Sequence, residues 1–134
     1  MCLVLRSLLL IALLAGERTA GPVVLYGQLV CSGCWTEAER DRVPYGTKAD
    51  LACAARCAKD GLPAALAVYR DGKFTTYPLV LDASLTDRRL TWIGRPVEAQ
   101  GVFEEDAKGT VLHVRSLTGT TWESLGFPTG PPPP

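Results

Sequence analysis

Two closely spaced pairs of cysteines are the residues of this chain whose type and spacing can do chemistry. Cys31 and Cys34 form a C-x-x-C, and Cys53 and Cys57 form a C-x-x-x-C. Thiolates bind Zn²⁺ and Cu(I), whereas thiols in an oxidising compartment pair as disulfides. The four residues therefore predict a metal site or covalent cross-links, depending on how the fold arranges them.

The second cysteine pair lies in a predicted helix. The segment after Thr47 is rich in alanine, which favours helix, and Asp50 stands three residues after Thr47 as in a capping box. Gly61 and Pro63 follow in the way expected of a helix C-terminus. The first pair stands instead at the end of a predicted β-strand, residues 23–31.

Helical spacing brings three of the candidate ligands to one face. Cys53 and Cys57 are four residues apart, and Asp50 precedes Cys53 by three. Residues at these separations project from the same side of a helix. We therefore expect this side of the helix to face Cys31 and Cys34.

The first interpretation of these residues is a metal site. Four thiolates from the two pairs, or three thiolates with Asp50, suit tetrahedral Zn²⁺ or soft Cu(I). The chain has no methionine beyond Met1, so a common soft ligand for copper is missing. This interpretation predicts a small, non-enzymatic binding protein whose partner is a metal ion.

The second interpretation is a pair of disulfides that staples an interaction module for a protein partner. Helix geometry strains a bond between Cys53 and Cys57. Bonds that join Cys31 and Cys34 to the helical pair are therefore favoured. Such cross-links typically stabilise a small domain by about 2–4 kcal/mol.

The third interpretation is a thiol oxidoreductase. The C-S-G-C followed by Trp35 has the form of a redox dithiol, in which a helix N-terminus lowers the pKa of the first cysteine. Here the motif leaves a strand, and no helix signal follows it directly. This absence places the redox interpretation third.

The parts of the chain on either side predict a secreted domain. Residues 1–20 carry Arg6 and a short apolar run, the pattern of a signal peptide for secretion or export to a periplasm. The run is shorter than the roughly 20 residues that span a bilayer. Residues 119–134 are rich in Gly, Thr and Pro and predict an extended, mostly disordered tail. One domain remains, residues 21–118.

The charge balance argues against nucleic acid as a partner. The chain has 14 basic and 14 acidic residues. Removal of the leader takes away Arg6, Arg18 and Glu17, which leaves 12 basic and 13 acidic residues. A chain with this balance lacks the positive charge that phosphate binding requires. No membrane span is expected in the mature chain.

Five predicted strands define the fold class. They cover residues 23–31, 64–69, 73–79, 97–104 and 110–117, with a short helix over 85–90. This order is that of a mainly β, five-stranded OB-like barrel in which the cysteine-bearing helix is inserted between strands 1 and 2. A small open α+β sheet has the same elements and stays an alternative.

Three segments resemble a family of small, secreted, functionally uncharacterised bacterial proteins with an OB-like fold. They are residues 27–35, the Cys-Ala-x-x-Cys helix motif with its following residues 53–63, and the fourth-strand segment 94–101. In such relatives the position of Cys31 is often Asp and the position of Asp50 is often His. The resemblance therefore implies a three-cysteine metal set with Asp and His, from which this chain departs by gaining a thiol and losing an imidazole.

The remaining candidate residues predict packing or solvent exposure. His113 is expected to face solvent from the fifth strand, and the acidic run 104–106 is expected to form a solvated turn. Trp35, Tyr45 and Trp92 predict core and rim packing, with an aromatic binding face as the alternative. No Ser-His-Asp arrangement or phosphate loop stands out, so no catalytic residue is predicted.

Overall fold

A closed barrel of five strands forms the centre of the computed structural model, which describes residues 21–36, 40 and 42–134. The strands are β1 (Val23–Cys31), β2 (Ala64–Arg70), β3 (Lys73–Leu81), β4 (Pro96–Asp106) and β5 (Gly109–Gly119). They are paired in the order β1-β2-β3-β5-β4, and β4 pairs back onto β1. The β3–β5 pairing is parallel and the other four are antiparallel. This closed arrangement confirms the predicted OB-like barrel and removes the open-sheet alternative.

Helices lie between β1 and β2, between β3 and β4, and after β5. They are α1 (Ser32–Thr36), α2 (Lys48–Lys59), α3 (Ala83–Thr86), α4 (Arg89–Trp92) and α5 (Trp122–Leu125). Helix α2 carries the second cysteine pair between β1 and β2, as predicted. Two four-residue helices stand between β3 and β4, where one short helix is predicted.

Strand β1 is shared between two neighbours, and Gln28 lies where one pairing gives way to the other. Its backbone is opposite Pro96 of β4 and also opposite Ala67 of β2. The Gln28 side chain is 1% exposed and donates hydrogen bonds to the carbonyl oxygens of Tyr45, at 2.8 Å, and Gly94, at 3.0 Å. A buried amide needs such partners, so Gln28 fixes both the loop after β1 and the segment before β4.

Aliphatic side chains from the strands fill the barrel. Leu29, Leu66, Val97, Leu112 and Val114 are each 0% exposed. Strand residues two apart project to the same side of a sheet, so the buried pair on β5 agrees with the alternation in its sequence. Burial of these apolar surfaces supplies the main favourable free energy of folding.

Two tight backbone features shape the barrel. Asp71 and Gly72 have φ angles of 54° and 78°, so the β2–β3 turn is the two-residue hairpin that their sequence predicts. In β4 the register shifts between Gln100 and Gly101. A side chain at Gly101 would collide with the carbonyl oxygen of His113, so only glycine fits this irregularity.

The C-terminal segment departs from the prediction of a disordered tail. Helix α5 begins there at Trp122, Leu125 is 4% exposed, and the Phe127 ring lies 4.9 Å from the Phe74 ring. These apolar side chains pack on the barrel, whereas the prediction rested on the Gly and Pro content. The folded part therefore continues beyond residue 118. The predicted signal peptide, residues 1–20, lies outside the described residues.

Candidate functional site

The four sulfurs converge where β1 leaves the barrel. Cys31 is the last residue of β1, and Cys34 lies one helical turn further on in α1. Cys53 and Cys57 project from α2 toward them. The structure thus brings the two sequence pairs into one cluster, which we call the sulfur cluster.

The sulfurs of this cluster are in two chemical states. Cys34 and Cys53 form a disulfide with a Cα–Cα distance of 6.6 Å, which joins α1 to α2. Cys31 and Cys57 lie outside that bond. The Cys57 Sγ is 3.9 Å from the Sγ atoms of both Cys34 and Cys53. One strand-to-helix disulfide therefore forms, and two cysteines remain beside it.

Three of the sulfurs have the spacing of metal ligands. The Sγ atoms of Cys31, Cys34 and Cys57 all lie within 4.8 Å of one another. Bonds of about 2.3 Å around a tetrahedral Zn²⁺ place thiolate sulfurs roughly 3.8 Å apart. The cluster is therefore of the right size for a metal ion, although Cys34 becomes a thiolate only when its disulfide opens.

The cluster is protected on the barrel side and accessible on the helix side. Cys31 and Cys34 are 3% and 5% exposed, whereas Cys53 and Cys57 are half-buried. Cys31 and Cys57 line one small pocket together with Arg89 of α4 and several apolar side chains. Reagents that reach the cluster through this pocket pass a cationic side chain.

Asp50 has other partners than the sulfurs. Its carboxylate accepts hydrogen bonds from the backbone N–H groups of Gly46 and Thr47 and from the Thr47 hydroxyl, at 2.9–3.0 Å. The Arg40 guanidinium lies 3.1 Å from its other oxygen. Asp50 and Thr47 thus form the predicted capping box of α2 and position the helix that bears Cys53.

These partners also control the charge of Asp50. Burial alone would raise the pKa of this carboxyl group. The hydrogen bonds from Gly46 and Thr47 and the charge of Arg40 outweigh burial and hold the pKa below its ordinary value of 3.8. Asp50 is therefore a stable anion that compensates a buried cation.

The loop between α1 and α2 is fixed by aromatic side chains. Tyr45 is 2% exposed, and its hydroxyl oxygen accepts a hydrogen bond from the Cys31 N–H at 3.1 Å. Burial raises the pKa of Tyr45 to about 12, so the phenol stays protonated. The Arg40 guanidinium lies 4.9 Å from the Tyr45 ring and 5.8 Å from the Trp35 ring. Trp35 and Tyr45 therefore pack in the core, and Trp92 is half-buried.

Helix α1 is present where the sequence predicts no helix. No helix is expected directly after the C-x-x-C, yet α1 begins at Ser32. Its five residues hold Cys34 next to α2, and the Ser32 hydroxyl donates a hydrogen bond to the Pro63 carbonyl oxygen. The first pair nevertheless does not bond to itself, because Cys34 is joined to Cys53.

A second polar cluster surrounds His113 on the outer surface of the barrel. Its Nε2 lies 2.8 Å from Asp82, the residue before α3, and its Nδ1 lies 3.2 Å from Glu104 of β4. Hydrogen bonds to Asp82 and Glu104 raise the pKa of His113 above 6.5. The outward position agrees with the prediction, but these partners were missed, because only the fold brings Asp82 near β5.

Comparison with known proteins leaves the fold and the sulfur cluster as the basis for function. The chain matches no protein-family model and no curated protein sequence. The similarity to small secreted bacterial proteins therefore stays a prediction. Among the described residues, no helix combines the length and apolar character needed to cross a membrane.

Replacement of Asp50 by Asn should reduce the free energy of unfolding by about 1–2 kcal/mol, the range for lost helix caps. The variant loses the charge that Arg40 and the N-terminus of α2 stabilise. Urea unfolding at neutral pH measures the effect, with D87N on the exposed surface as a matched control. A lowered pKa means that the Asp50 contribution is complete above pH 3.8 and is lost as the pH falls through the folded value. The difference between wild type and D50N should therefore shrink in acid, and a pH-independent difference would refute this explanation.

His113 should titrate above its ordinary pKa of 6.5, because both carboxylates stabilise the protonated ring. Its stabilising contribution is present below pH 6.5 and is lost as the pH rises through the raised value. NMR titration of the imidazole measures the pKa. D82N and E104Q should each move it back toward 6.5, whereas E123Q should leave it unchanged. A wild-type value at or below 6.5 would contradict the two contacts.

Proposed function

We propose that the protein is a secreted metal-binding protein that holds Zn²⁺ or Cu(I) in the sulfur cluster. The observation that carries this proposal is the spacing of the Sγ atoms of Cys31, Cys34 and Cys57, which all lie within 4.8 Å. Soft thiolates select these two ions among the common biological metals. The predicted signal peptide, together with a disulfide suited to an oxidising compartment, supports secretion.

The complete ligand set on this proposal is the four cysteines. Cys53 is the fourth ligand, because its Sγ is 3.9 Å from that of Cys57. Asp50, which the sequence offers as an alternative, is the weaker choice because its oxygens already serve Arg40 and the cap of α2. Four thiolates form a closed tetrahedral site of the structural type.

The disulfide divides metal binding into two states. A dithiol reductant donates two electrons and two protons to the Cys34–Cys53 bond, which yields two protein thiols and the oxidised reductant. The metal then displaces the protons of the thiols that it binds. With the disulfide intact, the sulfur cluster keeps only Cys31 and Cys57 as thiolate donors, too few for a tetrahedral Zn²⁺ site.

The fully reduced chain should therefore bind one Zn²⁺, and the chain with the disulfide intact should not bind Zn²⁺ tightly. Competition with a chromophoric chelator, under anaerobic conditions, measures the affinity and the stoichiometry. Loss of a residue that hydrogen-bonds to a metal ligand typically weakens metal affinity by roughly 10–100-fold. C57S removes a ligand itself, so it should weaken Zn²⁺ binding by more than this.

D50N is the matched control for this measurement, because it perturbs α2 without removing a sulfur. It should leave the Zn²⁺ affinity of the reduced chain within about threefold of wild type, a change well below the 10–100-fold range above. A reduced, folded chain with all thiols titratable and no bound Zn²⁺ or Cu(I) would overturn the proposal. An equal loss in C57S and D50N would also count against it.

A disulfide-stapled interaction module is the second candidate function, favoured by the bond between α1 and α2. The Cys34–Cys53 bond closes a loop over a sequence separation of 19, for which about 3 kcal/mol of stabilisation is expected. On this view reduction should lower the unfolding temperature strongly, while addition of Zn²⁺ to the reduced chain should restore nothing. Recovery of stability with Zn²⁺ would favour the metal site.

A further inference from the structure

Cys31 and Cys57 are also placed to react with each other. Both lie outside the Cys34–Cys53 disulfide, and their Sγ atoms are within 4.8 Å of each other. Both also line the same small pocket. A disulfide bond needs a separation of about 2.05 Å, so the two sulfurs must approach each other by less than about 3 Å to join.

The two cysteines differ in access, which gives each a separate role in thiol chemistry. Cys57 is half-buried on α2, whereas Cys31 is 3% exposed at the end of β1. An external disulfide therefore meets Cys57 first. Cys31 is more buried but has its Sγ within 4.8 Å of that of Cys57, so it is placed to attack the bond that Cys57 forms.

Cys57 is poorly placed to attack the existing disulfide instead. A thiolate attacks one sulfur along the extension of the S–S bond, so its distances to the two sulfurs differ. Cys57 Sγ is 3.9 Å from both Cys34 Sγ and Cys53 Sγ, and it therefore stands beside the bond. This geometry favours reaction of Cys57 with an external partner.

The pocket supplies a preference for the charge of that partner. Arg89 of α4 lines it together with Cys57. Among the residues that line this pocket and the adjoining one, Lys59 and Asp87 offset each other, and Arg89 leaves a net positive charge. A cation next to the reacting sulfur stabilises an attacking thiolate and attracts anionic reagents.

We propose that Cys31 and Cys57 are a redox-active dithiol that reduces small anionic disulfides. The Cys57 thiolate attacks one sulfur of the substrate, forming a mixed disulfide and releasing the first thiolate product. The Cys31 thiolate then attacks Cys57 Sγ, releases the second thiolate and leaves a Cys31–Cys57 disulfide. Each turnover moves two electrons from the protein to the substrate, and both thiol protons pass to solvent or product. This activity goes beyond metal binding. It also prevents metal binding, because the new disulfide removes two of the proposed ligands.

The test uses metal-free protein that retains the Cys34–Cys53 disulfide, with oxidised glutathione as the probe. We expect two equivalents of glutathione to be released per chain, and the chain to lose two hydrogens by intact mass. Trypsin cleaves after Arg56, which places Cys53 and Cys57 in different peptides. Cys31 and Cys34 share one tryptic peptide, so fragment ions from backbone cleavage between Ser32 and Gly33 are needed to tell their links apart. The expected product links the Cys57 peptide to Cys31 and retains the Cys34–Cys53 link.

Single variants separate the two steps. C31S should accumulate a glutathione adduct on Cys57, because the attacking thiol is present and the second thiol is not. C57S should form neither adduct nor second disulfide. An unchanged far-UV circular dichroism spectrum, together with the retained Cys34–Cys53 link, reports that each variant is still folded. A Cys57 bridge to Cys34 or Cys53 in wild type, or unchanged thiols after prolonged exposure, would overturn the proposal.

Arg89 provides a test of the substrate class. R89E should slow reaction with oxidised glutathione by about threefold or more, because it replaces a charge that attracts the anionic reagent with one that repels it. The same variant should accelerate reaction with cystamine, a dicationic disulfide. R70E, at the exposed end of β2, is the matched control and should change neither rate. Equal effects on both reagents would remove the anionic preference. Because no metal is present, failure here leaves Zn²⁺ binding by the reduced chain untouched.

Discussion

The buried amide of Gln28 is the interaction on which the rest of the structure depends. It lies where β1 passes from β4 to β2, and it binds the carbonyl oxygens of Tyr45 and Gly94. Loss of either bond would leave a polar group unsatisfied in a dry core. Through Tyr45, whose hydroxyl accepts the Cys31 N–H, the same amide fixes the backbone that carries the first sulfur. The same side chain therefore stabilises both the closure of the barrel and the position of Cys31 in the sulfur cluster.

Local patterns accounted for most of the fold. The β-branched run of β1, the Thr47 capping box and the Asp71-Gly72 turn each contain their own structural information, and each appears in the structure as predicted. Helix α5 and the burial of Leu125 were missed, because the segment packs against β1 and, through Phe127, against Phe74 of β3, both far away in sequence. Composition alone could not distinguish a tail that packs from one that does not.

The sulfur cluster was predictable as a group, and its internal pairing was not. Spacing along α2 indicates which side chains share a face, whereas the choice of Cys53 as the partner of Cys34 depends on the orientation of α1. That helix is too short to have a sequence signal of its own. Periodicity predicts Asp50 on the face of Cys53 and Cys57, whereas its ion-pair partner in the structure is Arg40, from a loop with no regular pattern.

Trp35 gives the sulfur cluster an optical reporter. It directly follows Cys34, is 8% exposed, and lies 5.1 Å from the Phe74 ring and 5.9 Å from the Tyr45 ring. A disulfide close to an indole quenches the fluorescence of that indole. Reduction of the Cys34–Cys53 bond should therefore change the fluorescence intensity of Trp35. The other two indoles, Trp92 and Trp122, stand on α4 and α5. Changes at the cluster can thus be followed in real time by intrinsic fluorescence, with no label attached to the chain.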